Sequence, residues 1–419
     1  MSPHPTHDLI VIGGGAAGFF GAIQAGREAP GDASILILEG SRRVLNKVKI
    51  SGGGRCNVTH ECYDPKEMAS KHYPEGRGDQ ELIGPFFRFG VIQTTAWFYD
   101  EGVELKTEDD GRIFPTTDDS QTIIDTLTGA ASRAGVEVRT GANVSSVEPQ
   151  SDGTYLLDLH DDSQLRTRHL LLATGGTRLA KSESLPAMLG HTMVPAVPSL
   201  CTFDIDDPRL QDLQGLSVAH ASVSVADHPL QATGPLLITH RGLSGPGILE
   251  MSAHGARLLH ELDYQFQLTV NWLPHRRAEE RLAEMRHEAG ARQLRTLSPF
   301  EELPNRLWAS LVDAADIADD CRWASLPGAA RQRLIDQLHH ATFSVSGKST
   351  HKEEFVTCGG IDTDEFDMTT MESRLQPRLY AAGEVLNIDG ITGGFNFQNA
   401  WTTGYLAGSH IADSLHEDK

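Results

Sequence analysis

A chain of 419 residues is long enough for two or three domains with ample cores. Its 36 basic and 57 acidic residues leave a net charge of −21, which argues against electrostatic binding of nucleic acid, and its 39% hydrophobic and 22% charged content is ordinary for a globular protein. No apolar run reaches the roughly 18 residues of a membrane span, and the opening MSPHPTHD lacks a basic start and long apolar stretch, so the expected location is the cytoplasm, with no membrane partner. The cysteines, Cys56, Cys62, Cys201, Cys321 and Cys358, are scattered without a C-x-x-C, which fits a reducing compartment, and no His/Cys spacing suggests a metal site.

The chain begins with its most informative stretch. Leu9 to Ile12 reads as a buried parallel strand, Gly13, Gly15 and Gly18 form G-x-G-x-x-G, Ala16 to Ala25 reads as a helix, and Ile35 to Leu38 is a second strand ending in Glu39. Together these make a βαβ unit. Gly13 allows a tight turn, Gly15 the approach of a pyrophosphate, and Gly18 close helix–strand packing. Ala16 and Ala17 open a helix whose N-terminus faces the phosphates, while Glu39, followed by Gly40, suits the ribose hydroxyls of an adenosine. The next segment carries Arg42, Arg43, Lys47, Lys49 and Arg55 and runs through Ser51 into Gly52, Gly53 and Gly54, then Cys56 and Asn57. Three adjacent glycines stabilise neither helix nor strand. They suit a surface loop or, as the adjoining cradle favours, a backbone passing close to a flat ligand, with Arg55 and Asn57 donating to it.

Gly13 to Gly18, Glu39 and SGGGRCN at 51–57 resemble a bacterial family of FAD-dependent oxidoreductases, the YhiN/BaiN-like flavoproteins that include aminoacetone oxidase-type members, within the wider glutathione reductase and fumarate reductase flavoproteins. The resemblance implies that the dinucleotide is FAD with its adenosine on Glu39. It also implies that the segment 141–147, after a helix over 121–134 and a strand over 136–139, passes the adenine with backbone contacts from Ala142, Asn143 and Val144. Thr174, Gly175 and Gly176 follow a strand at 169–173 and resemble the turn that closes over the pyrophosphate. A buried strand end with a plain turn is the alternative there.

From about residue 190 the composition shifts to proline, glycine and short alternating runs, as in 217–226, which favour β-structure. THRGLSGPGIL at 239–249 also resembles the family. It reads either as a turn before a helix with Ser244 as N-cap, or as placing His240 and Arg241 at the rim of a flavin cleft, where Arg241 would hold an anionic group. Charged helical patterns follow over 276–288, 299–311 and 326–339.

The C-terminal part returns to strand patterns at 355–361 and 379–382. It then runs through Gly383, Glu384, Asp389, Gly393, Gly394, Phe395, Asn396 and Gln398 into a helix over 399–407. The resemblance implies a clamp for the ribityl-phosphate chain there, with Glu384 or Asp389 near ribityl hydroxyls and Asn396 and Gln398 near the ring. A helix N-terminus at that point stabilises negative charge on a reduced flavin.

The expected architecture is α/β: a discontinuous Rossmann-type FAD-binding domain over 1–190 and 345–419, with an inserted β-rich domain over 191–274 and a helical cap over 275–344. The expected function is an FAD-dependent oxidoreductase acting on a small organic molecule, by amine oxidation with O₂ or by enone reduction driven by NAD(P)H as a transient donor. The alternative is a non-catalytic or redox-sensing flavoprotein. A glutathione reductase arrangement is disfavoured, because no second G-x-G-x-x-G follows a strand in mid-chain and Cys56 and Cys62 lie on a loop. A tRNA-modifying role is disfavoured by the net charge of −21.

Overall fold

The computed structural model describes residues 6–176, 184–349 and 356–418 and divides into two compact units, Met1–Val197 with Lys352–Lys419, and Pro198–His351. In the first unit β1 (Thr6–Ile12), α1 (Ala16–Glu28) and β2 (Ile35–Glu39) form the βαβ unit that the glycine pattern predicts. Among the described residues the sheet has nine strands. Its parallel centre runs 379–381, 164–172, β1, β2, 136–140, the 144–149/155–159 hairpin attaches to 164–172, and an antiparallel edge of 366–367 and 372–373 extends beyond 379–381. Leu9, Ile10 and Val11 have no exposed surface. That is why the strand reads as a continuous apolar run, since a central parallel strand is covered on both faces.

The C-terminal helix, Phe395–Glu417, begins four residues earlier than the pattern at 399–407 suggests and runs on to Glu417. It packs on α1 with backbone against backbone. A Cβ at Gly404 would stand 2.6 Å from the Ala17 carbonyl oxygen, and one at Gly408 2.3 Å from that of Gly21. The contacts advance together along both helices, so the two run parallel. Glycine is obligatory at this seam for closeness rather than for backbone freedom.

In the second unit, among the described residues, seven strands form an antiparallel sheet in the order 341–345, 266–271, 217–225, 231–238, 242–244, 202–204, 347–349. Helices Ala278–Glu288, Asn305–Ala314 and Gly328–His339 share one core with it, in which Val223, Leu268 and Trp272 lie in the same buried cluster as Trp308 and Leu334. The β-rich and helical segments, read separately in the sequence, are thus one unit. Its boundaries fall after Val197 and His351 rather than at 190 and 344, because strand 193–199 pairs with 356–361 and strand 341–345 closes the second sheet. Among the described residues no helix is long and apolar enough to cross a membrane.

Candidate functional site

The N-terminal cradle is built by β1 and β2 ending side by side. Gly13 turns the chain at φ +116, and a Cβ there would lie 2.1 Å from the Ala173 carbonyl, so the end of strand 164–172 closes directly against it. At Gly18 a Cβ would lie 2.0 Å from the Gly13 carbonyl. Gly15 differs: it has ordinary extended backbone and a Cβ on it would meet nothing within 4 Å. Among the described residues no protein group requires glycine there, whereas a ligand lying against the backbone would. Gly15 is the N-cap of α1 with no side-chain cap, leaving the first-turn amides, including those of Ala16 and Ala17, open to an anion. The Glu39 carboxylate stands beside this turn, accepting from the Gly14 amide at 2.8 Å and the Ser41 amide at 2.7 Å. Segment 141–143 closes on it from strand 136–140: the Ala142 amide donates to the Glu39 carbonyl at 2.9 Å, and Asn143 Nδ2 donates to the Gly40 carbonyl at 3.2 Å. Val144 follows as the first residue of its strand.

The basic segment forms a short helix from Asn46 that breaks at Ser51, after which Gly52, Gly53 and Gly54 take φ of 57, 70 and 85 and buried Cys56 takes φ 62. Three successive left-handed residues are tolerated here because all three lack a Cβ, and Arg55, at φ −97, separates them from Cys56. At Gly53 and Gly54 a Cβ would meet nothing within 4 Å, while at Gly52 it would press on Phe114 at 2.8 Å. Arg55 is held by other groups: it pairs with Glu108 at 2.5 Å, reaches Asp118 at 3.4 Å and lies 4.0 Å over the Phe114 ring. The thiols of Cys56 and Cys62 are free, and burial pushes them up to about 12 and about 11, so neither is a ready thiolate. Asn57 is 8% exposed, and its Oδ1 has no hydrogen-bond partner.

The C-terminal clamp meets this segment. Gly394, at φ 98, is the N-cap of the C-terminal helix, again without a side-chain cap, and a Cβ on it would lie 2.9 Å from Asn57 Oδ1. Thr59 Oγ1 donates to Gln398 Oε1 at 2.6 Å, and Trp401 Nε1 donates to the Val58 carbonyl at 2.9 Å. Two motifs more than 300 residues apart in sequence are thereby brought to one place. Several residues read as ring or ribityl neighbours hydrogen-bond within the clamp. Gln398, fully buried, donates to Thr94 Oγ1 and Thr402 Oγ1. Asn396 uses both ends of its amide on the Gly390 backbone at 2.8 Å each. Asp389 is fully buried, and both of its carboxylate oxygens accept from Arg77 Nη1, at 2.9 and 2.8 Å.

Glu384 accepts from the Thr357 amide at 2.9 Å and pairs with Lys47. A Cβ on Gly176 would lie 2.6 Å from Glu384 Oε1, so the Thr174–Gly175–Gly176 turn, Gly383 and Lys47 converge there. A Cβ on Gly383 would stand 2.9 Å from the Ala17 side chain.

Two histidines that the sequence reading passed over complete the clamp. Phe395 packs on His72, at 4.0 Å, and His60, at 4.8 Å, which lie 5.7 Å from each other, so the three rings form one cluster beside Gly393, and Tyr73 donates from its hydroxyl to the Phe395 carbonyl at 2.6 Å. Burial holds His72 down at about 4, with His60 adding to the effect. No spacing rule marks these residues, because the stack forms only when β-strand, helix and C-terminal loop meet. Arg241 lies in the other unit, exposed and paired with Asp204 at 2.7 Å, in a tight turn between strands 231–238 and 242–244. The helix that follows starts at Pro246 with Gly245, not Ser244, as N-cap, because the chain needs φ 95 there. Residues 177–183 and 350–355, the latter including the start of the strand read at 355–361, lie outside the described residues.

Residues 7–410 match the family described as HI0933-like protein Rossmann domain. The chain belongs to that family. Relatives include a 3-dehydro-bile acid delta(4,6)-reductase of Clostridium scindens, 29% identical over 415 residues, covering 96% of this chain and 98% of that protein. A ribosomal RNA dihydrouridine synthase of Escherichia coli is 30% identical over 416 residues, with the same coverage. In fold the chain is similar to a 3-ketosteroid-delta4-(5alpha)-dehydrogenase from Rhodococcus jostii, at TM-score 0.55, 14% identity and 98% of each chain covered. Membership carries the architecture, a Rossmann-type FAD-binding fold with an additional domain, and the class, flavoprotein oxidoreductase. The residues present fit FAD: an open glycine and uncapped helix for the pyrophosphate, an acid for the ribose, open glycines at 53–54, and an unpartnered buried amide oxygen at the second helix N-terminus.

Proposed function

We propose that this protein is an FAD-dependent reductase of a carbon–carbon double bond conjugated to a carbonyl, with NAD(P)H as the electron donor. The observation that carries this reading is that two relatives spanning 96% of the chain bear names describing that one bond change. One is a reductase of a 3-oxo compound unsaturated beyond the carbonyl, the other forms dihydrouridine, in which a double bond conjugated to a ring carbonyl is saturated. FAD, when bound, supplies two-electron exchange. The chain's own residues position it: Gly15 and the α1 amides at the pyrophosphate, Glu39 at the ribose, and the N-terminus of the C-terminal helix where negative charge develops. Glu384, Lys47 and the Gly175–Gly176 turn line the stretch between.

The net charge of −21 favours a small unsaturated carbonyl compound as substrate, since an RNA substrate would have to overcome that field. A second reading, uridine in ribosomal RNA, is favoured by the E. coli relative at 30% identity. Both are tested anaerobically. NADH and NADPH are added separately while the flavin band near about 450 nm is followed. The reduced protein then receives either a 3-oxo-Δ4 steroid or ribosomal RNA lacking dihydrouridine. Bleaching by a nucleotide and recovery with the steroid supports the first reading, and recovery with RNA together with new dihydrouridine supports the second. A protein bleached by neither nucleotide, but turning over small amines in air, would replace both with an amine oxidase. If no donor reduces the flavin at all, FAD is structural.

A further inference from the structure

The uncapped N-terminus of the 23-residue C-terminal helix presents backbone donors, and Asn57 Oδ1, an acceptor without a partner, stands against its N-cap Gly394. Of the other polar side chains here, Asn396 is held on Gly390, Gln398 on Thr59, Thr94 and Thr402, Asp389 on Arg77, and Arg55 on Glu108. Asn387 Oδ1 and Asn399 Oδ1 also lack a partner among the described residues, and Asn57 Oδ1 differs from them in standing against the N-cap itself, 2.9 Å from a Cβ built on Gly394. A buried amide oxygen left unmatched is costly, and folded proteins leave few of them. It is accounted for if a ligand brings a donor to it. Donor and acceptor side by side complement one kind of edge, a ring carbonyl adjoining an imide N–H. The isoalloxazine of FAD has that edge at its C2 carbonyl and N3–H.

On the FAD reading above, we propose that Asn57 is the positioning residue for the flavin ring, its Oδ1 accepting the N3–H while the helix amides donate to the adjacent carbonyl. The contact sets which edge of the ring meets the helix, and so where the helix dipole acts. It is a task for Asn57 rather than for Arg55, because Arg55 is turned to Glu108 and Asp118. Since Asn57 Oδ1 has no hydrogen-bond partner among the described residues, replacing it takes away no internal acceptor contact.

The probe is N3-methyl-FAD, which keeps the carbonyl and lacks the N3–H. The full-length chain is titrated with FAD and with N3-methyl-FAD, following flavin fluorescence. Wild type is expected to bind the methylated cofactor about tenfold or more weakly, and Asn57→Ala is expected to reduce that discrimination to about threefold or less. Asn57→Asp is expected to retain FAD but lower its reduction potential, because a carboxylate beside the ring disfavours the negative charge of the reduced form. Equal binding of both cofactors by wild type, or discrimination undiminished in Asn57→Ala, overturns the assignment of Asn57 alone. A wild-type chain that binds neither cofactor overturns the FAD reading itself.

Discussion

The helix N-termini at the two glycine cradles of the first unit, those of α1 and of the C-terminal helix, are solved differently. At α1 the glycines leave the backbone bare: Gly15 faces open space, and the one acid, Glu39, holds neighbouring amides. At the C-terminal helix the motif is rich in polar side chains, yet Asn396, Gln398 and Asp389 turn inward to brace the loop, and the unpartnered oxygen against the N-cap Gly394 comes from Asn57 on a distant segment. One cradle is made by removing side chains, the other by locking them. A glycine motif therefore reports on its ligand directly, whereas a polar motif can report mainly on its own scaffold.

The largest effect that would break this contrast is at the braced clamp. Asp389→Ala removes the buried carboxylate paired with the Arg77 guanidinium and is expected to cost about 3–5 kcal/mol in denaturant unfolding. A loss below about 1 kcal/mol would mean the pair does not brace the loop. At the bare cradle the two glycines should separate. Gly18→Ala drives a methyl against the Gly13 carbonyl, with an expected loss of about 3 kcal/mol. Gly15→Val should leave thermal stability nearly unchanged while weakening FAD binding about a hundredfold, equivalent to ~2.7 kcal/mol. Equal damage to folding by both substitutions would remove the distinction.

The histidine stack sharpens the comparison through pH. Burial lowers His72 from 6.5 to about 4, with His60 and Lys71 also disfavouring its charge and Glu67 favouring it. The unfolded chain therefore binds a proton before the folded one does, and stability is expected to fall as pH drops from 6.5 towards 4. Thermal midpoints of wild type and His72→Phe should converge at neutral pH and separate in acid, with the variant falling less. Parallel curves would show that the stack does not contribute. The smallest effect is expected at Arg55→Gln, where a partly exposed ion pair is worth about 0.5–1 kcal/mol, and FAD affinity should shift by less than about threefold.

Much of the first unit was legible because its signals are local. Parallel central strands read as apolar runs since both faces are covered, and Gly13, Gly15, Gly18 and Glu39 sit at spacings that one βαβ unit dictates. The left-handed run at Gly52–Gly54 was equally visible, because no other residue type tolerates it at low cost. The sharing of one core by the β-rich and helical segments was not visible, nor was the closing of the second sheet by strand 341–345, since composition and periodicity carry no pairing information.

Side-chain roles at the clamp divide along the same line. That a glycine turn followed by a helix would stand at 393–398 was written in the chain. Which polar groups are claimed by the protein itself was decided by tertiary packing: Gln398 meets Thr59 and Thr94, Asp389 meets Arg77, and Phe395 clusters with His60 and His72 only once segments hundreds of residues apart are brought together. Residue type and spacing determine backbone conformation over a few positions. The partner that claims a hydrogen-bonding group is chosen by whatever the fold brings within about 3 Å of it.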